Sequence, residues 1–250
     1  MAKTRLDKLL VERGLVPSRE RAHALILAGR VLADEQKVEK PGHPVPETAA
    51  IRLLGDDLRY VSRGALKLEA ALGHWNVDLT GKFCLDVGAS TGGFTDCMLQ
   101  HGAARVLAVD TGYGQIAEKL RRDSRVTLME RTNARKIAPG DLPAGIGFFA
   151  MDVSFISATL VLPPIITAIG GHTPLEAVVL VKPQFEAGRE AVGKGGIVRD
   201  ATAHQAAIDR VRSCVEQLGG TSIEVIDPPI HGAEGNKEFL VHAQFQSGSG

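Results

Sequence analysis

The rhythm of apolar and polar positions changes near residue 60. Before it, Leu6, Leu9 and Leu10 fall on one face of a short helix that stops near Gly14. Ala22, Leu25 and Ile26 form the stripe of a second helix, closed by Gly29. Thr4, with Asp7 three places on, reads as the N-cap of the first helix, and Ser18 as the cap of the second. Short strands are expected at Val31–Ala33, around Val38 and at Ile51–Leu53. The Pro/Gly/His stretch Pro41–Pro46 reads as a loop between them. A core this small is marginal, which suits an accessory domain.

From Ser62 the pattern lengthens. Arg63 to Leu72 is helical, with Leu66, Ala70 and Leu72 expected to face inward. Apolar runs then alternate with helical stripes. Strands are expected near 83–87, 104–109, 126–129, 146–151, 176–182, 222–227 and 237–245. Helices are expected near 92–102, 115–121, 156–169 and 201–218. Such alternation predicts an α/β fold, a mainly parallel sheet covered on both faces. The last two strands are joined by a loop alone, so they should pair antiparallel. The expected layout is a small N-terminal α+β domain over 1–59, a large domain over 60–246 and a flexible tail over 247–250.

Composition adds a few bounds. An apolar fraction of 44% supports an ordinary core, and the formal net charge is zero. The charge is uneven, however. Residues 1–30 hold Lys3, Arg5, Lys8, Arg13, Arg19, Arg21 and Arg30 against Asp7, Glu12 and Glu20. Cys84, Cys97 and Cys214 show no C-x-x-C spacing, and the histidines show no metal pattern. A reducing, cytoplasmic protein without a metal is expected. The apolar stretch 158–169 is interrupted by Pro163-Pro164 and is too short to span a bilayer, so no membrane partner is expected. The oligomeric state stays open.

The most informative stretch is Phe83-Cys-Leu-Asp-Val-Gly-Ala-Ser-Thr-Gly-Gly-Phe-Thr95. A buried strand runs into glycines and then a helix, an arrangement that brings backbone close to a ligand. The spacing differs from a dinucleotide fingerprint, and no Walker lysine is present. Asp86, just before the turn, would repel a pyrophosphate and welcome a cationic amino-acid group. That favours S-adenosylmethionine. Asp110, at the tip of the next strand, is placed for ribose hydroxyls. Gly88, Ser90, Thr91, Gly92, Gly93 and Phe94 would line the turn, with Ser62 and Arg63 before the opening helix. Asn133 follows the third strand, where an adenine edge would lie. A plain Rossmann-type turn with solvated acids is the bland alternative.

A methyl donor leaves carbon, nitrogen and oxygen acceptors open. Cytosine C5 chemistry needs a cysteine nucleophile, and none of the three cysteines falls at an expected strand end. Exocyclic amine methylation usually employs an Asp/Asn-Pro-Pro-aromatic turn after the fourth strand. Here that place holds Asp152-Val-Ser-Phe155, while Asp227-Pro-Pro-Ile230 comes after the sixth strand. The strand ends carry charge instead: Asp152, Lys182 after a four-residue apolar run, and Glu238 at the start of the last strand. Lys67 sits one turn into the opening helix. A lysine beside the core is uncommon unless it snorkels to solvent.

The set Lys67, Asp152, Lys182 and Glu238 resembles the K-D-K-E tetrad of FtsJ-class ribose 2′-O-methyltransferases. The N-terminal motifs Arg5-Leu-Asp7, Ser18-Arg19 and Gly29-Arg-Val31 resemble the S-four-type RNA-binding module. Together with Val61-Ser-Arg-Gly-Ala-Leu-Lys67, Val181-Lys-Pro-Gln-Phe-Glu186 and Gly235-Asn-Lys-Glu-Phe239, the chain resembles the TlyA-type family over residues 3–245. The resemblance implies a Rossmann-like S-adenosylmethionine-dependent methyltransferase sheet with an antiparallel last strand. It implies transfer of a methyl group to a ribose 2′-hydroxyl of ribosomal RNA, usually on cytidine, with ribosomal RNA or ribosomal subunits as partner. Arg5, Arg19, Arg21 and Arg30 would then meet RNA phosphates.

The chemistry suits the tetrad. An amine acts as a base only when unprotonated, and burial or a second ammonium favours that form. Lys182 would be the base and Lys67 the neighbouring cation, with Asp152 and Glu238 orienting them. Some family members carry a haemolysin label, so a pore-forming protein is one rival. A protein that binds cofactor and RNA without catalysis is the other.

Overall fold

A computed structural model describes residues 3–16, 18–54, 59–171, 173–232 and 235–246. The tail expected over 247–250 lies outside the described residues. The chain divides into two compact units, Met1–Arg59 and Tyr60–Gly250.

The first unit runs β1 (Lys3–Arg5), α1 (Leu6–Glu12), α2 (Arg19–Leu27), β2 (Val31–Ala33), β3 (Gln36–Lys37), β4 (Pro44–Pro46) and β5 (Ile51–Leu53). Ser18 caps α2 as expected, its Oγ accepting from Arg21 N at 3.2 Å. Gly14 and Gly29, at φ 65° and 64°, turn the chain out of the two helices. Leu6, Leu10, Ala22 and Ile26 meet Val31 and Val45 in a small core.

Two expectations fail here. Thr4 does not cap α1. It lies in β1 opposite Val45, and the cap position falls to Arg5, which makes no capping bond. The end of the Pro41–Pro46 loop is a strand, β4, which among the described residues pairs with β1 alone. An edge strand leaves one row of N–H groups unpaired, and proline is tolerated there.

The second unit contains α3 (Ala65–Trp75), β6 (Phe83–Val87), α4 (Gly93–Gln100), β7 (Arg105–Val109), α5 (Glu118–Arg121), β8 (Val126–Met129) and β9 (Ile146–Met151). It continues with α6 (Leu162–Ile169), β10 (Leu175–Val181), α7 (Pro183–Glu186), α8 (Ala201–Gln217), β11 (Gly220–Ile226) and β12 (Phe239–Phe245). Among the described residues these strands form one sheet in the order β11-β12-β10-β9-β6-β7-β8. Neighbours pair in parallel except around β12, which runs antiparallel to both β10 and β11. The antiparallel last strand is therefore present, inserted beside the edge.

Both faces are covered. Ile165 of α6 and Val211 of α8 pack on one side of the sheet. Leu68 of α3 and Phe94 and Met98 of α4 pack on the other. The face of α3 that points inward is Ala65, Leu68, Ala71 and Leu72, so the expected Leu66 and Ala70 are only partly buried. That phase carries Lys67 into the interior as well. The helix expected from 156 begins later: a 3-10 turn over Ala158–Leu160 precedes α6, whose first turn holds the prolines.

Register aligns the strand ends. Val87 pairs with Val109 and with Met151, and Val181 pairs with Phe239. The next residues, Gly88, Asp110, Asp152 and Lys182, thus emerge at one edge. Because β12 runs in reverse, Glu238 enters it from that same edge.

Candidate active site

The turn after β6 begins at Gly88, whose φ is 88°. A Cβ there would run into the Asp152 carbonyl, so only glycine lets the two strand ends pack this closely. Ser90 follows in the left-handed region at φ 49°, and Gly92, at φ 92°, opens α4. A Cβ on Gly93 would press on Ser62 Oγ. Asp110 ties the turn to the next strand: Ser90 N donates to its Oδ2 at 2.8 Å, and Gly112 N to its Oδ1 at 2.6 Å.

These residues bound a cavity of about 560 Å³. Gly88, Ser90, Asp110 and Asn133 lie on its polar wall, and Val109, Val153, Ile156 and Val161 on its apolar wall. Asn133 also accepts from Arg135 N at 3.1 Å and so caps a short turn. A carboxylate at the rim, an apolar wall and a close backbone turn suit an adenosyl group. A recess of about 160 Å³ continues inward past Ser62, Thr91, Gly93 and Phe94.

Asp86 is placed differently from the expected ammonium contact. It is 0% exposed and lines none of these cavities. Thr95 Oγ1 donates to its Oδ2 at 2.6 Å, while Oδ1 has no hydrogen-bond partner. Burial pushes its carboxyl up to about 7; the Thr95 hydrogen bond opposes that shift, and the negative charge of Asp152 adds to it.

A second cavity, about 590 Å³, adjoins the first through Ser90, Asp152, Ser154 and Phe155. Lys67, Asp152, Lys182 and Glu238 all lie on its wall, with Arg63 nearby. They form two ion pairs. Lys67 Nζ donates to Glu238 Oε2, with both side chains buried. Lys182 Nζ stands 2.5 Å from Asp152 Oδ1. That pair is close but poorly aligned, and Asp152 Oδ1 has no hydrogen-bond partner of good geometry. The aligned bond from Lys182 goes to Ser154 Oγ, at 2.7 Å. Each lysine thus has a carboxylate, which keeps the cavity from being an uncompensated cationic patch.

The cysteines stand elsewhere. Cys84 and Cys97 are fully buried, and none of the three lines the cleft. Burial pushes the Cys84 thiol up to about 12. Among the described residues no cluster of His, Cys, Asp or Glu is arranged to hold a metal ion, and no helix is long and apolar enough to cross a membrane.

In the first unit, the four arginines expected at phosphates stand in different surroundings. Arg5 donates twice to Asp7, Nε to Oδ1 and Nη2 to Oδ2, each at 2.9 Å. Arg19 reaches the same Oδ2 at 2.8 Å, as does His23 Nε2. Asp7 is fully buried, and the Arg5 bond, ahead of the others, holds its carboxyl far below the usual range. Arg5 and Arg19 keep over half their side-chain surface exposed, at 54% and 55%. Arg30 instead spends its Nε on the Leu54 carbonyl at 2.9 Å, and Arg21 lies half-buried on α2.

Three residues near the site lie inside motifs singled out in the sequence, yet those motifs assign them no role of their own. Ser154 holds Lys182. Phe155, 91% exposed at φ 63°, packs its ring 5.4 Å from that of Phe185. Glu186, buried in α7, accepts from Ser157 Oγ at 2.5 Å and from Ala158 N at 2.6 Å. The hydrogen-bond partners of Ser154 and Glu186 lie 28 or 29 residues away, and the ring partner of Phe155 is Phe185 on α7, all beyond the reach of a local pattern.

A parallel sheet with one reversed strand inserted beside the edge, and a cleft across its strand ends, defines a methyltransferase-type α/β protein. The chain belongs to the FtsJ-like methyltransferase family, whose model matches residues 60–245, and it carries an S4 domain over residues 4–51. It is 49% identical to YqxC of Bacillus subtilis, proposed to be an rRNA methyltransferase, over 96% of this chain and 85% of that one. It is 42% identical to the 16S/23S rRNA (cytidine-2′-O)-methyltransferase TlyA of Mycobacterium tuberculosis, over 98% and 91% of the two chains. A solved structure from Streptococcus thermophilus, proposed to be a hemolysin, superposes with a TM-score of 0.76 at 42% identity, covering 98% and 90%. An S-adenosylmethionine-dependent methyltransferase structure from Listeria monocytogenes shares the fold at 17% identity and a TM-score of 0.54, covering 74% of this chain and all of that one.

Proposed function

We propose that this methyltransferase uses S-adenosylmethionine to methylate a ribose 2′-hydroxyl of ribosomal RNA, on cytidine, with Lys67, Asp152, Lys182 and Glu238 as its catalytic set. The observation that carries the reading is the pairing of two lysines with two carboxylates on one cavity, next to a nucleoside-sized cavity. The relatives named for rRNA methylation agree with it.

S-adenosylmethionine, held by these residues, would supply an electrophilic methyl group and, in the sulfur that keeps the electron pair of the broken carbon–sulfur bond, a neutral thioether leaving group. The residues do the rest. Asp110 receives ribose hydroxyls, and the Gly88–Gly93 turn admits the ligand against backbone. Lys182, as the free amine, takes the 2′-hydroxyl proton while the oxygen keeps its electron pair. Lys67, held by Glu238, faces the anionic character that builds on that oxygen. Alignment of the reacting atoms supplies much of the rate. In the S4 domain, Arg5 and Arg19 present guanidinium groups to phosphates, positioning RNA without reading its sequence. Such an enzyme works in the cytoplasm, where its substrate is assembled.

Incubation with labelled S-adenosylmethionine and unmethylated ribosomal subunits tests the reading. Label should resist removal with the base and protect one phosphodiester from alkaline cleavage. Label on a base refutes the ribose assignment. Single-turnover transfer by Lys182→Ala at the wild-type rate, with cofactor binding intact, refutes the tetrad.

A further inference from the structure

A free lysine amine has two N–H bonds and one lone pair. As a base it needs that lone pair aimed at the hydroxyl, and a freely rotating amine aims it nowhere in particular. Two acceptors surround Lys182 Nζ: Asp152 Oδ1 at 2.5 Å and Ser154 Oγ at 2.7 Å. Only the Ser154 contact has hydrogen-bond geometry. With one N–H on the serine and the other drawn toward the carboxylate, the third direction is set.

The serine is exposed, but its segment is anchored at both ends. Its segment starts where Asp152 N donates to the Val87 carbonyl at 2.9 Å. It ends where Ser157 and Ala158 donate to the buried Glu186. Between these anchors the backbone passes through the left-handed Phe155. Ser154 also borders both large cavities and the recess between them, so its hydroxyl stands where donor and acceptor meet.

We infer that Ser154 is a positioning residue of the methyl transfer, fixing the rotation of the Lys182 amine so that its lone pair faces the substrate hydroxyl. The inference rests on the reading of Lys182 as the base. Ser154 does not take the proton. The hydroxyl O–H bond breaks, an N–H bond forms on Lys182, and the serine keeps its own hydrogen.

The test compares Ser154→Ala, Ser154→Cys, Ser154→Thr and Lys182→Ala in single-turnover transfer from labelled S-adenosylmethionine to unmethylated ribosomal subunits. Cofactor Kd is measured in parallel by equilibrium dialysis. Ser154→Ala and the near-isosteric Ser154→Cys, a weak acceptor, should lose about tenfold to a hundredfold in rate while cofactor Kd and subunit KM stay within about twofold. Ser154→Thr, which restores the hydroxyl, should recover most of the rate. If the Ala and Cys variants run at the wild-type rate while Lys182→Ala is inactive, Ser154 has no such role and the base assignment survives. If they lose cofactor affinity in proportion to rate, the serine serves binding and the inference falls. If Lys182→Ala also runs at the wild-type rate, the base assignment itself is wrong. Should Ser154→Ala fail to fold by circular dichroism, the Cys and Thr pair decides alone.

Discussion

Replacing Asp86 with asparagine should stabilise the second unit at high pH and leave it nearly unchanged in acid. The wild-type carboxyl is fully buried, bonded to Thr95 through one oxygen only, and its pKa rises from 3.8 to about 7. The native state therefore holds a proton that the unfolded chain gives up at lower pH. The contribution is fully present below the unfolded value and is lost as pH rises through the folded one. At about 1.4 kcal/mol per unit, the penalty for burying the charge approaches ~4 kcal/mol above pH 8 and is about 1.5 kcal/mol at pH 5. Asparagine carries no such penalty. The gap between variant and wild type should thus widen by roughly 2–3 kcal/mol between pH 5 and pH 8.5, about 1 M in urea midpoint. Trp75, the single tryptophan, lies in the second unit and reports its unfolding, with the two proteins compared at each pH. A gap that stays constant, or widens toward acid, would show that Asp86 is already charged in the native state and would refute the reasoning.

Gly88→Ala should weaken cofactor binding by about 1–3 kcal/mol through a strained positive φ and a clash with the Asp152 carbonyl. Gly81→Ala, at the opposite end of β6, shares the positive φ but meets nothing within 4 Å and lines no part of the cleft, so it should leave binding unchanged in calorimetric titration; wild-type affinity in Gly88→Ala would refute the clash. Lys67→Met should cost about 3–5 kcal/mol by leaving Glu238 buried without its ion-pair partner, and a double Lys67→Met/Glu238→Leu variant should regain much of it in urea melts. A double variant as unstable as the sum of the singles would contradict that. Asp7→Ala makes the S4 domain more positive yet should reduce RNA affinity severalfold, because Arg5 and Arg19 lose the carboxylate that orders them. Filter binding at fixed salt checks this, and tighter binding would mean that bulk charge outweighs preorganisation.

The strand ends were readable for a physical reason. A buried parallel strand is a continuous apolar run, and a charge that stops such a run abruptly, as Lys182 and Asp152 do, marks the place where the chain leaves the core. The glycine turn was legible because close backbone approach demands it at Gly88. The phase of α3 was less so, since Leu66 and Leu68 are equally apolar and only packing decides between them. The strand at Pro44–Pro46 was hidden by residues that disfavour strands in general and fit an edge in particular. Asp86 showed its place but not its depth: a carboxylate in the right motif reads as a ligand contact, and only three-dimensional burial reveals it inside the wall. The links from Ser154 to Lys182 and from Glu186 to Ser157 depend on which loops meet, which spacing along the chain does not encode.

The reversed strand has a consequence for how the enzyme comes into being. Lys67 and Glu238 are separated by 171 positions, and β12 slots between β10 and β11, both made before it. A chain that ends before β12 already contains its glycine turn and both lysines but lacks the strand that lies between β10 and β11. Only with the segment that leads into the final strand does Lys67 acquire its counter-charge. A chain clipped before that segment would keep its S4 domain but leave Lys67 without its buried carboxylate, so under the proposed tetrad it should bind RNA and transfer no methyl group.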